Sequence, residues 1–190
     1  MALEPPPVRE RIPLARADAP IRMTAEARPF SDEYASLESL RALAAAWNAS
    51  PPMLRLGARL DFERVDRVRA VIDPVEEFHR GGLGTEAVNG VVLAGLFDLV
   101  VGTVGWLAHP NSHSATVNLS MTFLRPTRGD RVVAEARLLR AGVNFVFVAA
   151  EITDGSGQVT ARCDGTCAVA VGKEDSDEIA RRMRAGKVAP

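Results

Sequence analysis

The hydrophobic pattern splits the chain into a helical first half and a strand-rich second half. Leu37, Leu40, Leu43 and Trp47 recur at helical spacing, which predicts a helix with Ser31 as N-cap, Asp32 and Glu33 in its first turn, and an end at Trp47. Asn48 and Pro51-Pro52 stop it. Two strands are expected next, near 53–62 and 65–73, on Leu54, Leu56, Val65 and Val71, with Pro74 as terminator. A glycine-rich passage, Gly81-Gly82-Leu83-Gly84, then leads to a run from Gly90 to Ala108 that is almost wholly apolar, with Asp98 its one charge. This run predicts a helix from Asn89 to about Leu107, with Val92, Leu96, Leu99, Thr103 and Leu107 along one side and the other sides scarcely more polar. It is long enough to span a bilayer, but the central Asp98 and the glycines at 90, 95, 102 and 105 favour a helix buried by protein on all sides.

Beyond that helix the period changes to two. Thr116, Asn118, Ser120 and Thr122 alternate strictly with Val117, Leu119, Met121 and Phe123, the mark of a half-buried strand. A turn at Pro126 to Asp130 follows, then strands near 131–140, with Val132, Ala134, Ala136 and Leu138 on one face, near 143–153 and near 158–171. Asp154-Gly155-Ser156-Gly157 joins the last two as a hairpin. A sheet of about six strands needs a cover for its inner face, and the apolar helix is the only candidate long enough. The expected fold is α+β, an antiparallel sheet wrapped around a long central helix. Residues 1–30 read as a proline-rich extended or disordered tail, 31–172 as the domain, and 173–190 as a charged tail in which Ile179 and Met183 mark a short surface helix.

Composition narrows the function. At 190 residues, 47% hydrophobic and 25% charged, the chain fits one ordinary globular domain. With 23 Lys plus Arg against 24 Asp plus Glu, the net charge of -1 argues against a nucleic-acid partner. Cys163 and Cys167, four apart on a strand, stand about 13 Å apart, beyond the roughly 7 Å limit for a disulfide, and are expected as buried thiols. Met1 to Pro20 carries prolines and charges where a secretory signal has its apolar core, so the expected compartment is cytoplasmic, with no membrane partner.

No G-x-S-x-G elbow, P-loop or H-E-x-x-H helix occurs. Gly82-Leu83-Gly84 with Ala87 fits a loose dinucleotide pattern but lacks the later acidic residue and the βαβ unit. His109 and His113 are separated by Pro110 and have no acidic or thiol neighbour, so no metal site is expected. His79 either lines a site mouth or caps a loop. Asp98 is the strongest candidate for chemistry: Ala94, Gly95, Val101 and Gly102, one turn away on either side, offer no cation, so the carboxylate is either used, or else reaches a surface or is satisfied by a neighbouring strand. At the helix start, Asn89 is a good N-cap and Gly90 allows close approach to free N–H groups, an arrangement suited to an oxyanion or to a plain cap.

The segment Asn89-Gly90-Val91-Val92-Leu93-Ala94-Gly95-Leu96-Phe97-Asp98 resembles the central-helix signature of the hotdog-fold acyl-CoA thioesterases of the phenylacetic-acid-degradation type, which shows His-Gly-Gly and an acidic residue nine positions after the histidine. The strand Val117 to Phe123 with Leu124-Arg125-Pro126 is similar to the family's F-L-R-P motif, and the final hairpin, with Val159 to Val171, follows the family's course. The resemblance covers about residues 52 to 171. It implies a hotdog fold, Asp98 as catalytic carboxylate, the Gly90 N–H as oxyanion donor, and Thr116 where some members place a hydroxyl that positions water. Asn89 replaces the usual histidine and Val91 the second glycine. It further implies an acyl-CoA substrate, no metal or redox cofactor, and edge-to-edge dimers, often paired into tetramers.

Gly90 and Asp98, eight positions apart, are separated by about 12 Å along one helix. They cannot both reach one carbonyl group, which requires contacts of about 3 Å. If both act on one thioester, one helix supplies the donor and a second copy's helix the carboxylate, so a homodimer is expected. Val91, His79, Arg125 and Arg140 are the candidate substrate contacts, the two arginines for CoA phosphates. The rival readings are a hotdog hydratase or dehydratase, which needs a histidine where Thr103 stands, and a non-catalytic acyl-CoA-binding or regulatory module, which has no use for Asp98.

Overall fold

The first helix, α1, spans Leu37–Asn48, and its N-cap is Ser36 rather than Ser31. The Ser36 hydroxyl accepts the Ser39 N–H at 3.1 Å, while Ser31 lies more than a turn upstream. Leu40 and Ala44 bury its inner face. Asn48 ends the helix and then acts like a strand: its amide donates to Leu60 O at 3.0 Å and accepts from Leu60 N–H at 2.7 Å.

The first part of the strand expected at 53–62 is instead a second helix, α2, Pro51–Leu56. Pro51 and Pro52 sit at its first positions, where a missing N–H costs nothing, so the prolines that end α1 also begin α2. Gly57, at φ 64, closes it in the left-handed conformation. Only Arg59–Asp61 remains as β1, followed by β2, Val68–Ile72. The later elements lie close to expectation: α3, Gly90–Ala108; β3, His113–Phe123; β4, Val132–Ala141; β5, Phe145–Thr153; and β6, Val159–Ala170. The computed structural model describes residues 30–81 and 86–170; the expectations for the proline-rich start, for Gly82-Leu83-Gly84 and for the charged end with Ile179 and Met183 lie outside them.

The strands form one antiparallel sheet of six, in the order β1-β2-β4-β5-β6-β3, and α3 packs against β2 to β6. Register places Ala70, Ala134, Ile152 and Ala161 in one row across four strands, all buried towards the helix. Cys163 and Cys167 are buried free thiols on the same face, and burial pushes the Cys163 thiol up to about 11. A helix long and apolar enough to cross a membrane is here the core of a sheet, with half of it buried inside the protein.

Two expectations about the centre of the fold are corrected. First, α3 is not buried all round. Leu93, Leu96, Phe97, Val100, Val101 and Val104 are buried, whereas Val91 is 78% exposed and Asp98 is exposed too. Val91, Asp98 and Gly102 stand in one row on the helix, with Leu56 of α2 against Gly95 on one side and Thr116 of β3 near Gly102 on the other. Second, β3 does not alternate strictly. The register slips between Thr116 and Asn118, so Thr116 pairs with Cys167 and Leu119 with Gly165, and both face the helix. The hydroxyls of Ser114 and Thr116 therefore share a face with Leu119, Met121 and Phe123, and Val117 points outwards, 56% exposed.

Gly165 lets β6 cross α3 closely: a Cβ there would lie 2.5 Å from Val101 Cγ1. Gly165→Ala is expected to destabilise the fold by about 1–3 kcal/mol through overpacking. Denaturant melts should show this as a lowered midpoint; an unchanged midpoint would mean that helix and strand separate freely.

Candidate active site

The start of α3 is held from three sides. Asn89 N–H donates to His79 O at 2.8 Å, Val88 N–H donates to Thr127 O at 2.9 Å, and Arg80 bridges to Val88 as a short antiparallel pair. Thr127 is fixed in turn, because its buried hydroxyl donates to Thr160 Oγ1 at 2.7 Å and Thr160 donates to Ile152 O at 3.3 Å. This hydroxyl chain pins the turn after β3 to the sheet and, through it, the helix start. Nothing in the local sequence marked Thr127 and Thr160 for this role, since the contact joins positions 33 residues apart.

At the helix end itself, Asn89 Oδ1 accepts the Val91 N–H at 2.9 Å, and Asn89 O accepts from Val92 and Leu93. The N–H of Gly90, the first helical residue, has no such partner among the described residues and stands at the positive end of a 19-residue helix. Asn89 is therefore engaged as a cap through its oxygen, with only Nδ2 left to reach outwards. Val91 contributes an exposed side chain beside the helix start, its own N–H already taken.

Asp98 lies about 12 Å further along, exposed, and with no hydrogen bond or ion pair among the described residues. Of the readings open in the sequence, reaching a surface is the one the single protomer realises. The carboxylate is nonetheless not isolated from other polar groups. Thr116 Oγ1 lies 3.4 Å from the Cβ position of Gly102, one helical turn beyond Asp98. The Cys167 thiol sits by the Ser114 and Thr116 hydroxyls and donates to Val101 O at 3.4 Å. Burial raises the Cys167 thiol above its ordinary range, so it is a poor nucleophile beside the carboxylate. The structure thus brings Asp98 and Thr116 onto one stretch of α3 and β3.

The remaining candidates separate. His79 is 1% exposed: its Nδ1 accepts the Glu76 N–H at 2.8 Å, which leaves Nε2 as the donor to Leu56 O at 2.9 Å. It caps the short 3-10 turn Glu77–His79 and does not line a site mouth. Arg125 and Arg140 are both exposed but lie at opposite ends of the sheet. Arg125 N–H bonds to Thr160 O and Arg140 pairs with Phe147, itself opposite Thr166, so about 20 Å of strand divides them. They cannot hold one set of phosphates from the same protomer; Arg125 is the one at the helix-start end. Thr103, where a hydratase would place its histidine, is 1% exposed and donates to Leu99 O at 2.7 Å. His109 binds Gly142 O at 3.0 Å and His113 is exposed at the start of β3.

A contact not foreseen from the sequence completes the helix-start end. Phe123, the last residue of β3, brings its ring tip to 3.9 Å from the Cβ position of Gly90. The F-L-R-P motif contained the residue, but only the antiparallel course of α3 and β3 places it beside Gly90.

Residues 86–161 match the family model of the thioesterase superfamily. No curated protein matches the sequence significantly. Solved structures share the fold. A thioesterase from Haemophilus influenzae is 20% identical, over 74% of this chain and 95% of that one, with a TM-score of 0.62. The E. coli PaaI protein from the phenylacetic acid degradation operon is 17% identical, over 70% and 94%, with a TM-score of 0.60. Zebrafish thioesterase superfamily member 2 is 19% identical, over 71% and 99%, with a TM-score of 0.59. At these identities the likeness is one of fold, the hotdog fold, and within it the segment 86–161 is similar to the thioesterase superfamily.

Proposed function

We propose that the protein hydrolyses acyl-CoA thioesters to a free acid and CoA in a site shared by two copies of the chain. The observation that carries this reading is a pair of groups on α3 with no partner among the described residues: the N–H of Gly90 and the carboxylate of Asp98, about 12 Å apart. One copy's Gly90 N–H receives the thioester oxygen, and the partner subunit's Asp98 faces the carbonyl carbon. The unpaired outer edge of the 11-residue strand β3 supports such a pairing, because a long free edge accepts another strand.

In the step itself, Asp98 takes a proton from water, and the hydroxide adds to the carbonyl carbon. The oxyanion that forms is stabilised by the Gly90 N–H and the helix dipole. Collapse breaks the C–S bond, and the thiolate leaves with the proton returned from Asp98. Direct attack by the carboxylate, giving an anhydride that water then cleaves, is the other course open to this residue. The Thr116 hydroxyl, beside Gly102 one helical turn beyond Asp98, favours the water route because it offers a second hydrogen bond to the water. Asn89 holds the helix start in register, Val91 borders the substrate, and Arg125 is the candidate partner for CoA phosphates. The superfamily match supports thioester chemistry, and the resemblance of the helix signature points to acyl-CoA as the thioester.

The test is thiol release from a panel of acyl-CoA and acyl carrier protein thioesters. Turnover of acyl-CoA substrates is expected. Measurable binding with no turnover of any member would replace this reading with a non-catalytic acyl-CoA-binding module.

A further inference from the structure

We infer that Phe123 is a specificity-determining residue, whose ring limits the bulk of the acyl group beside the thioester carbonyl; this rests on the thioesterase reading above. Three observations converge on it. The ring tip lies 3.9 Å from where a Cβ on Gly90 would stand, so the ring borders the space beside the residue whose N–H has no partner among the described residues. Phe123 is 51% exposed, so half of the residue beside the helix start is open to a ligand. It also lies on the helix-facing side of β3, in line with Leu119 and Met121, which pack against the core.

A carbonyl oxygen that accepts from Gly90 N–H does so at about 2.9 Å. The atoms attached to the carbonyl carbon then occupy the space next to the ring. A straight chain can pass such a wall edge-on, whereas a branch at the carbon next to the carbonyl meets it. Unlike the donor or the carboxylate, the ring does not take part in proton or electron movement. Its effect is therefore on the ratio between substrates rather than on the chemistry common to all of them.

The experiment compares the best straight-chain acyl-CoA of the panel with its 2-methyl-branched counterpart, using the full chain and the variants Phe123→Ala and Phe123→Leu. Wild type is expected to prefer the straight chain, and Phe123→Ala to shift the kcat/KM ratio towards the branched substrate by about tenfold, the effect of one methyl group in an apolar site. Phe123→Leu should lie between them, and it keeps the test decisive if the alanine variant fails to fold. A ratio unchanged within about twofold in a folded, active variant overturns the inference while leaving the thioesterase reading intact. Absence of turnover in wild type overturns both.

Discussion

Asp98→Asn is expected to lower kcat by about 10²–10⁴ while leaving the fold untouched. Asparagine keeps the size and position of the side chain but cannot accept a proton from water or attack a carbonyl. Because Asp98 is exposed and has no partner within the described residues, its replacement removes no contact that holds the protomer together, and the change in stability should stay within about 0.5 kcal/mol. KM should change little, since the lost interaction belongs to the transition state. Steady-state thiol release combined with thermal denaturation separates the outcomes. Retention of more than half the activity would remove Asp98 from the mechanism, and a lowered melting point with normal kcat would make it a structural residue.

Gly90→Pro should be nearly as damaging, about 10²–10³ in kcat, the usual effect of losing one oxyanion donor. The substitution suits this position because Gly90 is the first residue of α3, where proline is well accepted. Asn89, at φ -63 and ψ 137, already has the extended backbone required of a residue before proline. Proline there deletes one N–H group and little else. Gly90→Ala, which keeps the N–H and meets Phe123 only at ordinary contact distance, should stay within a few-fold of wild type.

The two variants together test the shared site. In a heterodimer of Asp98→Asn and Gly90→Pro chains, one site carries both substitutions and the other carries neither. Random reassociation makes half the dimers of this kind, so about one quarter of wild-type activity should return on mixing. If each site were built within one chain, mixing two inactive variants would restore nothing.

These expectations depend on features that were unequally visible in the sequence. The central helix was legible to within a residue because a long apolar run bounded by Asn89 and His109 has few other solutions in a small domain. Strands β4 to β6 were legible through their period of two, and the hairpin through Asp154-Gly155. The segment 51–62 was misread because a short apolar run such as Met53, Leu54, Leu56 fits either period, and Pro51-Pro52 can close one helix while opening the next. The open row on α3 was illegible for another reason. Composition shows that a helix is apolar but does not show which of its faces its own sheet covers, and Val91 and Asp98 fall on the uncovered one. His79 carried two readings, and only the carbonyl of Leu56, 23 positions away, distinguishes them.

The register slip at Val117 has a consequence of scale. Towards His113 the inward positions of β3 carry hydroxyls, and towards Phe123 they carry hydrocarbon, with the slip as the boundary between the two. Two inward positions, Leu119 and Met121, therefore separate the Thr116 hydroxyl from Phe123, the strand end beside Gly90. That interval is fixed by the backbone, not by the size of any side chain. The strand works as a ruler: the place where one residue is left unpaired sets how far the hydroxyl-bearing end of β3 stands from the end beside Gly90.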